Sequence, residues 1–222
     1  MVRRIDIENL DCLCCGTAGS GRIAYILYPM DYLAGWIEPA ARKYGVDIVV
    51  ITGMDWQNVF SPWPAKGVPK GSPDFKGEAP EFLRLLQGSV IPRVERVLGY
   101  DAAPERTLVG VSMSGLFALW QWMVCDTFLN IASLSGSFWY EGFLDWVRRL
   151  EVPAKSGRGY FLLGDKEAKS GVKAFDSVAE NTRQIIALLD SHGIRTEFQS
   201  VPGNHYADPL PRLDRAFTAL FK

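Results

Sequence analysis

The pattern of apolar and polar positions predicts short buried strands that alternate with amphipathic helices along most of the chain. The run 47–52 (DIVVIT) is largely apolar and β-branched, which is typical of a strand buried on both faces of a parallel sheet. The strands predicted in this way are 22–30, 47–52, 107–112, 130–135, 159–164 and 195–201, and the predicted helices are 36–44, 79–98, a segment after 112, 143–150, 177–192 and 209–222. Because the two types alternate from residue 22 onward, we predict an α/β fold with a mostly parallel central sheet and helices on both faces.

Two segments carry further predictions about the sheet and one helix. Residues 3–9 (RIDIENL) alternate between apolar and polar positions, which indicates an edge strand. The glycine-rich stretch 15–21 is predicted to be a turn, so 3–9 and 22–30 are expected to pair as a hairpin. Within the helix 79–98, Pro92 is expected to cause a kink, because proline removes a backbone hydrogen bond.

The stretch 53–78 is expected to be a long loop that forms one wall of a binding site. It carries four prolines, two tryptophans and two phenylalanines, and a loop of this length inside a compact domain is usually functional. Trp56 and Trp139 are the predicted substrate-binding side chains, and Phe60 and Phe138 are further candidates. The alternative for all four is an ordinary place in the core.

Length and composition are those of one globular domain spanning residues 1–222. The net charge of −1 gives no reason to expect binding to nucleic acid or an acidic membrane. No run approaches the about 18 apolar residues of a membrane span, and the start of the chain lacks the apolar core of a secretory signal. We therefore expect a cytoplasmic protein with neither a nucleic-acid nor a membrane partner.

Four cysteines raise the question of a metal or redox site: Cys12, Cys14, Cys15 and Cys125. The C-L-C-C cluster lacks the C-x-x-C spacing of a zinc site, and the chain has only two histidines. Reduced thiols and no metal are therefore the expectation. Metal binding, or a thiol-based sensor, is the alternative.

Candidate chemistry is concentrated in 107–120 (TLVGVSMSGLFALW), a predicted strand, sharp turn and helix. Residues 110–115 read G-x-S-x-S-G, a near match to the nucleophile-elbow pattern G-x-S-x-G. The turn needs small residues two places either side of the serine, and Gly110 and Ser114 meet this need around Ser112. The alternatives are that Ser112 merely caps the helix, or that Ser114, which has Leu116 two places on, is the nucleophile.

A serine nucleophile needs a base and an acid that orients the base. With this elbow they follow in the order serine, acid, histidine, and the sequence offers candidates just after the last two predicted strands. Glu167 is the preferred acid and Asp165 the alternative, while His205 is the predicted base. His192 lies near a helix end and is better explained as a partner of the helix dipole.

The oxyanion hole is predicted to use the backbone N–H of Met113, the residue after the nucleophile. A second N–H is expected from the loop after strand 22–30. Pro29 has none, so Met30 or Asp31 should provide it, and Met30 is preferred.

Together, GVSMSG, the acid after GYFLLG and the segment PGNHY resemble the α/β-hydrolase superfamily over about residues 22–220. The segments ITGMDWQNVFSPWPA, SLSGSFWYEGF and LLGDKEAK are similar to compact esterases related to the esterase D and enterochelin-esterase group. This resemblance implies a carboxylesterase that uses Ser112, Glu167 (or Asp165) and His205, forms an acyl-enzyme and needs no metal or cofactor.

The chain departs from the common family pattern at two places. Ser114 stands where glycine is usual, and no glycine-rich oxyanion loop is present. The chain has no room for a lid domain, so the expected partner is a small or aromatic ester rather than a long-chain lipid. The alternative function is a catalytically idle α/β-hydrolase scaffold that binds a ligand or partner.

Overall fold

An eight-stranded sheet forms the centre of the protein in a computed structural model that describes residues 2–17, 19–29, 31–169 and 171–222. The strands within these ranges are β1 Val2–Ile7, β2 Leu10–Cys15, β3 Arg22–Leu27, β4 Asp47–Thr52, β5 Pro64–Ala65, β6 Phe75–Lys76, β7 Glu105–Val111, β8 Asn130–Leu134, β9 Arg158–Gly164 and β10 Arg195–Val201. The helices are α1 Ala34–Tyr44, α2 Ala79–Leu85, α3 Ile91–Leu98, α4 Met113–Val124, α5 Phe143–Arg149, α6 Val178–Ser191 and α7 Pro209–Phe221. The strand order is β1-β2-β4-β3-β7-β8-β9-β10, in which the strands from β4 to β10 run parallel.

Helices cover both faces of this sheet because successive residues of a strand point to opposite sides. In β3, Tyr25 belongs to the core that is shared with α2 to α6, whereas Ile26 belongs to the core that is shared with α1 and α7. The predicted α/β class, with a mostly parallel sheet between two helical layers, is confirmed. Within the described ranges, every helix is too short or too polar to cross a bilayer.

The N-terminal hairpin differs from the prediction. Strand β1 pairs antiparallel with β2, through a tight turn in which Glu8 and Asn9 have φ values of 54° and 65°. Strand β3 instead lies in the middle of the sheet between β4 and β7, so the predicted pairing of 3–9 with 22–30 is wrong. The physical reason is that residues 10–15 form a strand of their own, whose cysteines pack as small hydrophobic side chains.

The cysteines of β2 are unpaired and buried. Burial, reinforced by the nearby carboxylates Asp11 and Asp6, raises the pKa of Cys12 to about 12. A thiol with this pKa stays protonated near neutral pH, so it is a poor nucleophile and a poor metal ligand. Over the residues described, no cluster of three or more His, Cys, Asp or Glu side chains is arranged to hold a metal ion.

The helical segment 79–98 is continuous, but its hydrogen-bond pattern changes just before Pro92. Helices α2 and α3 are joined by a π-helical turn at Leu86–Val90. Proline at position 92 cannot donate to the carbonyl of Gly88. The wider turn accommodates this missing bond immediately before the proline, as π-bulges commonly do.

The long loop between β4 and α2 is held in place by side chains within it. The Asn58 side-chain oxygen accepts a hydrogen bond from the Lys76 N–H at 3.1 Å, and the Ser61 hydroxyl accepts one from the Gly77 N–H at 2.9 Å. The short ladder of β5 and β6 joins the two arms of the loop. These bonds give the loop a defined path, as a wall of a site requires.

Candidate active site

Four neighbouring parallel strands deliver polar side chains to one edge of the sheet. Strands β7, β8, β9 and β10 lie side by side, and they are followed by Ser112, Ser135, Glu167 and His205 respectively. Because the strands are parallel, their carboxyl ends meet at the same edge. The structure brings the three predicted residues Ser112, Glu167 and His205 into direct contact, and it adds Ser135, which the sequence analysis did not single out.

Ser112 occupies a strained turn between β7 and α4. Its backbone angles are φ 58° and ψ −120°, a region that residues other than glycine rarely adopt. Its N–H donates to the Leu134 carbonyl at 3.0 Å, which fixes the turn against β8. A Cβ atom at Gly110 would lie 2.0 Å from the Ser114 carbonyl oxygen, so only glycine fits this side of the turn.

Ser114, the alternative nucleophile, is fully buried. Its hydroxyl lies 3.0 Å from the Leu27 carbonyl oxygen and 2.9 Å from that of Val111, and it accepts a hydrogen bond from the Val111 N–H at 2.7 Å. The hydroxyl of Ser114 is therefore engaged within the turn. Of the two serines, Ser112 is the one that lines the cavity described below.

His205 bridges the other two predicted residues. Its Nε2 lies 3.0 Å from the Ser112 Oγ, and its Nδ1 lies 3.1 Å from the Glu167 Oε2. A neutral imidazole with the proton on Nδ1 would donate to the carboxylate and accept from the hydroxyl. His192 lies elsewhere, at the end of α6, with its Nδ1 2.8 Å from the Leu188 carbonyl oxygen.

The two candidate acids have different partners. Glu167 is buried and contacts His205, whereas Asp165 is exposed and accepts a hydrogen bond from the Gly203 N–H at 2.9 Å. Asp165 therefore supports the loop that carries the histidine without touching the imidazole. The geometry favours Glu167 as the residue that orients His205.

Hydrogen bonds keep Glu167 ionised in spite of its burial. Burial alone would raise its pKa, but donors from His205, Ser135 and the Gly164 N–H together lower the pKa below its ordinary value. The distances to the carboxylate are 2.5 Å from the Ser135 Oγ and 2.8 Å from the Gly164 nitrogen. A buried carboxylate with this many donors is available as an acceptor at neutral pH.

Arg212 is a further charged residue at the site that the sequence analysis missed. Its Nη1 lies 3.1 Å from the Glu167 Oε1 and also bonds to the Ser135 Oγ. Arg212 is 45 positions from Glu167 and 77 from Ser135 along the chain, and no motif links them. Its one sequence signal is an arginine among the apolar positions of the last helix.

The predicted oxyanion donors are placed only in part. Met113 is the first residue of α4, so its N–H has no carbonyl one turn earlier in the helix to bond. Tyr28 and Pro29 line the cavity, but the Tyr28 N–H already donates to the Ile51 carbonyl at 3.2 Å, and proline has no N–H. Met30, the preferred second donor, lies outside the described residues.

A cavity of about 460 Å³ opens over Ser112 and His205, within the usual range of small-molecule sites. Aromatic side chains form part of its walls, and Trp56 and Trp139 both line it. Phe175, which was not predicted, packs against Trp139 with ring centroids 4.7 Å apart. The cavity therefore presents flat apolar side chains beside Ser112 and His205.

The two phenylalanine candidates do not line the cavity. Phe60 is fully buried behind Trp56, with ring centroids 4.9 Å apart, and it packs on Phe82 and Phe117 in the core. Phe138 is buried against Phe143. Phenylalanine has no polar atom, so it can be fully buried without leaving a hydrogen-bond donor unsatisfied, whereas a buried indole N–H needs a partner.

Comparison with known proteins gives one family model, described as "Putative esterase", which matches residues 31–214. A curated relative, the uncharacterized protein YbbA of Bacillus subtilis (strain 168), is 24% identical over 162 residues. That alignment covers 71% of this chain, and it spans 65% of the relative's length.

Two solved structures extend the comparison to the whole fold. An IroE-like serine hydrolase from Shewanella oneidensis aligns with a TM-score of 0.78 at 16% identity, covering 100% of this chain and 79% of the other. The siderophore hydrolase EstB from Aspergillus nidulans aligns with a TM-score of 0.79 at 16% identity, covering 100% and 94%. At this identity the similarity establishes the α/β-hydrolase fold. Because the family model covers most of the chain, this protein belongs to that esterase family, and its fold is that of an α/β-hydrolase.

Proposed function

We propose that the protein hydrolyses carboxylic esters through an acyl-enzyme formed on Ser112, with His205 as general base and Glu167 as the orienting acid. The observation that carries this proposal is the chain of contacts from Ser112 Oγ to His205 Nε2 at 3.0 Å and from His205 Nδ1 to Glu167 Oε2 at 3.1 Å. These three side chains line the same cavity. Both separations are within hydrogen-bond reach, as proton transfer requires.

Acylation begins when the Ser112 Oγ attacks the ester carbonyl carbon. His205 Nε2 takes the hydroxyl proton as the new carbon–oxygen bond forms, and it then gives that proton to the leaving alcohol as the old bond breaks. Glu167 stabilises the transient imidazolium and holds the proton on Nδ1. The depressed pKa of Glu167 supports this role, because only the ionised carboxylate can do both.

The negative charge on the carbonyl oxygen would be stabilised by backbone donors. The Met113 N–H at the start of α4 is one, and it also benefits from the positive end of the helix dipole. The second comes from residue 30 or 31, since Tyr28 and Pro29 have no free N–H. Deacylation repeats these steps with water as the nucleophile, which releases the acid and restores Ser112.

The proposed substrates are small or aromatic esters. Support comes from the aromatic walls and the volume of the cavity, and from the name of one similar structure, a siderophore hydrolase. We also propose a cytoplasmic location, which the four unpaired cysteines support, because thiols stay reduced there.

The test is hydrolysis of p-nitrophenyl acetate and butyrate by the wild type, Ser112→Ala and His205→Ala, with His192→Ala as the matched control. We expect both site variants to lose activity and the control to keep it, because His192 is exposed and bonds only at its own helix end. Mass spectrometry of a fluorophosphonate adduct should locate the label on Ser112. Activity that survives in Ser112→Ala, or a wild type that neither turns over nor labels, would refute the proposal.

A further inference from the structure

Helix α7 carries a buried arginine, Arg212, whose side chain contacts the candidate active site. The Arg212 side chain is 7% exposed and the Glu167 side chain 3%. The Nη1 of Arg212 donates to the Glu167 Oε1 at 3.1 Å, and its Nη2 donates to the Asn204 carbonyl at 2.7 Å. Asn204 is the residue before His205, so one guanidinium contacts both the acid and the loop that carries the base.

The surrounding chain leaves space for this guanidinium. A Cβ atom at Gly164, the last residue of β9, would lie 2.9 Å from the Arg212 Nη2 and 2.4 Å from the Gly203 carbonyl oxygen. Glycine at this position therefore lets the end of β9, the histidine loop and the arginine approach one another. A larger residue would push one of the three away.

The contacts divide the two carboxylate oxygens of Glu167 between different tasks. Oε1 accepts from the Gly164 N–H, the Ser135 hydroxyl and Arg212, while Oε2 faces His205. A carboxylate held on one oxygen by three donors cannot rotate freely. Its other oxygen is then kept in line with the imidazole.

We propose that Arg212 is a positioning residue for ester hydrolysis, fixing the acid and the histidine loop relative to each other through the two ends of its guanidinium. The inference rests on the proposed function of Ser112, Glu167 and His205. Arg212 acts through these groups and needs no contact with substrate. Lysine cannot replace it, because one ammonium nitrogen lacks the planar fork that spans two separate acceptors.

The test compares Arg212→Lys and Arg212→Met with the wild type on p-nitrophenyl butyrate. Arg215→Met, on the exposed side of the same helix, is the matched control. We expect kcat to fall about 10- to 100-fold in both Arg212 variants, since small misplacements of catalytic groups cost this much. KM should change by less than about threefold, because the residues that contact the bound substrate are unchanged. The control should match the wild type in both constants.

Rescue separates positioning from a general loss of structure. Assays are run well below the unfolding temperature of each variant, and millimolar guanidinium is added to Arg212→Met to fill the vacated space. Guanidinium should restore kcat at least in part in Arg212→Met and leave the wild type and Arg215→Met unchanged. If Arg212→Met does not fold, Arg212→Lys alone decides through its kcat and KM.

Labelling of Ser112 by a fluorophosphonate distinguishes the two possible failures. A wild type that does not label at Ser112 would overturn the proposed function. If the wild type labels at Ser112 and folded Arg212→Lys labels and turns over at the same rate, the role of Arg212 is overturned while the proposed function stands. A rise in KM at constant kcat would also overturn it, because that result indicates substrate binding instead.

Discussion

The carboxylate of Asp165 accepts a hydrogen bond from the N–H of Gly203 at 2.9 Å. Glu167, two residues later in the chain, contacts His205 instead. The two acids therefore support the same histidine loop by different contacts.

We expect Glu167→Gln to lower kcat by about 10²- to 10⁴-fold, because an amide neither holds the required tautomer of His205 nor stabilises its imidazolium. Asp165→Asn keeps an acceptor oxygen for Gly203 and should stay within roughly threefold of the wild type. Steady-state kinetics on p-nitrophenyl butyrate checks both, and the reverse ranking would exchange the roles of the two acids.

Gly110 should tolerate no side chain. A Cβ atom there would lie 2.0 Å from the Ser114 carbonyl oxygen. Because that oxygen belongs to the backbone, it cannot move aside as a side chain could. Gly110→Ala is therefore expected to destabilise the fold by about 3 kcal/mol. Gly88→Ala is the matched control, since a Cβ there meets nothing within 4 Å, and it should be about 0.5–1 kcal/mol more stable than the wild type. Urea unfolding measures both variants. Equal stability of the two would contradict the close approach of strand and helix at the elbow.

Stability should fall in acid partly through Glu167. The pKa of this group in the folded protein lies below its ordinary value of 4.5, so the folded state binds its proton less readily than the unfolded state does. Its contribution is therefore complete above that value and is lost as the pH falls through the folded-state pKa. We expect the difference in unfolding free energy between the wild type and Glu167→Gln to shrink between about pH 6 and pH 3. A difference that is constant over this range would indicate an unperturbed carboxyl group.

Trp139 should contribute to selection of aromatic esters. It lines the cavity and packs against Phe175, so Trp139→Ala is expected to raise KM for p-nitrophenyl benzoate about tenfold, the effect of losing about 1.4 kcal/mol of ring contact. KM for p-nitrophenyl acetate should change little, because an acetyl group is too small to reach that wall. Tyr32→Ala removes an aromatic side chain that is 53% exposed and lies outside the cavity. It should leave both constants unchanged, and a parallel rise for both esters in Trp139→Ala would argue against selection by the ring.

Local sequence was sufficient to predict the elbow, because the small residues that the turn needs, Gly110 and Ser114, lie two places either side of Ser112. The strand that precedes Glu167 was also predictable, because its apolar run 160–163 is continuous. The hairpin was different, since an interrupted run of cysteines does not resemble an ordinary strand. Its two-residue turn at Glu8 and Asn9 lacks the glycine that usually marks such turns.

Contacts between distant segments could not be predicted from local patterns. Arg212 reaches Ser135 across 77 positions, and the packing of α7 against β8 and β9 brings them together. Within the long loop, Trp56 and Phe60 are equally aromatic, yet one lines the cavity and the other is core. That distinction depends on the neighbouring helices, which the loop sequence does not describe.

Ser112 and Ser135 end adjacent strands, and both have left-handed backbone conformations, with φ values of 58° and 52°. Such conformations cost about 1–3 kcal/mol each in residues other than glycine, so the edge of the sheet that carries the proposed active site opposes folding at two positions. Selection for thermal stability alone would favour glycine at position 112, where the strain is relieved. Ser112→Gly should therefore melt at a higher temperature than Ser112→Ala while being equally inactive, which would make the working enzyme a compromise between durability and chemistry.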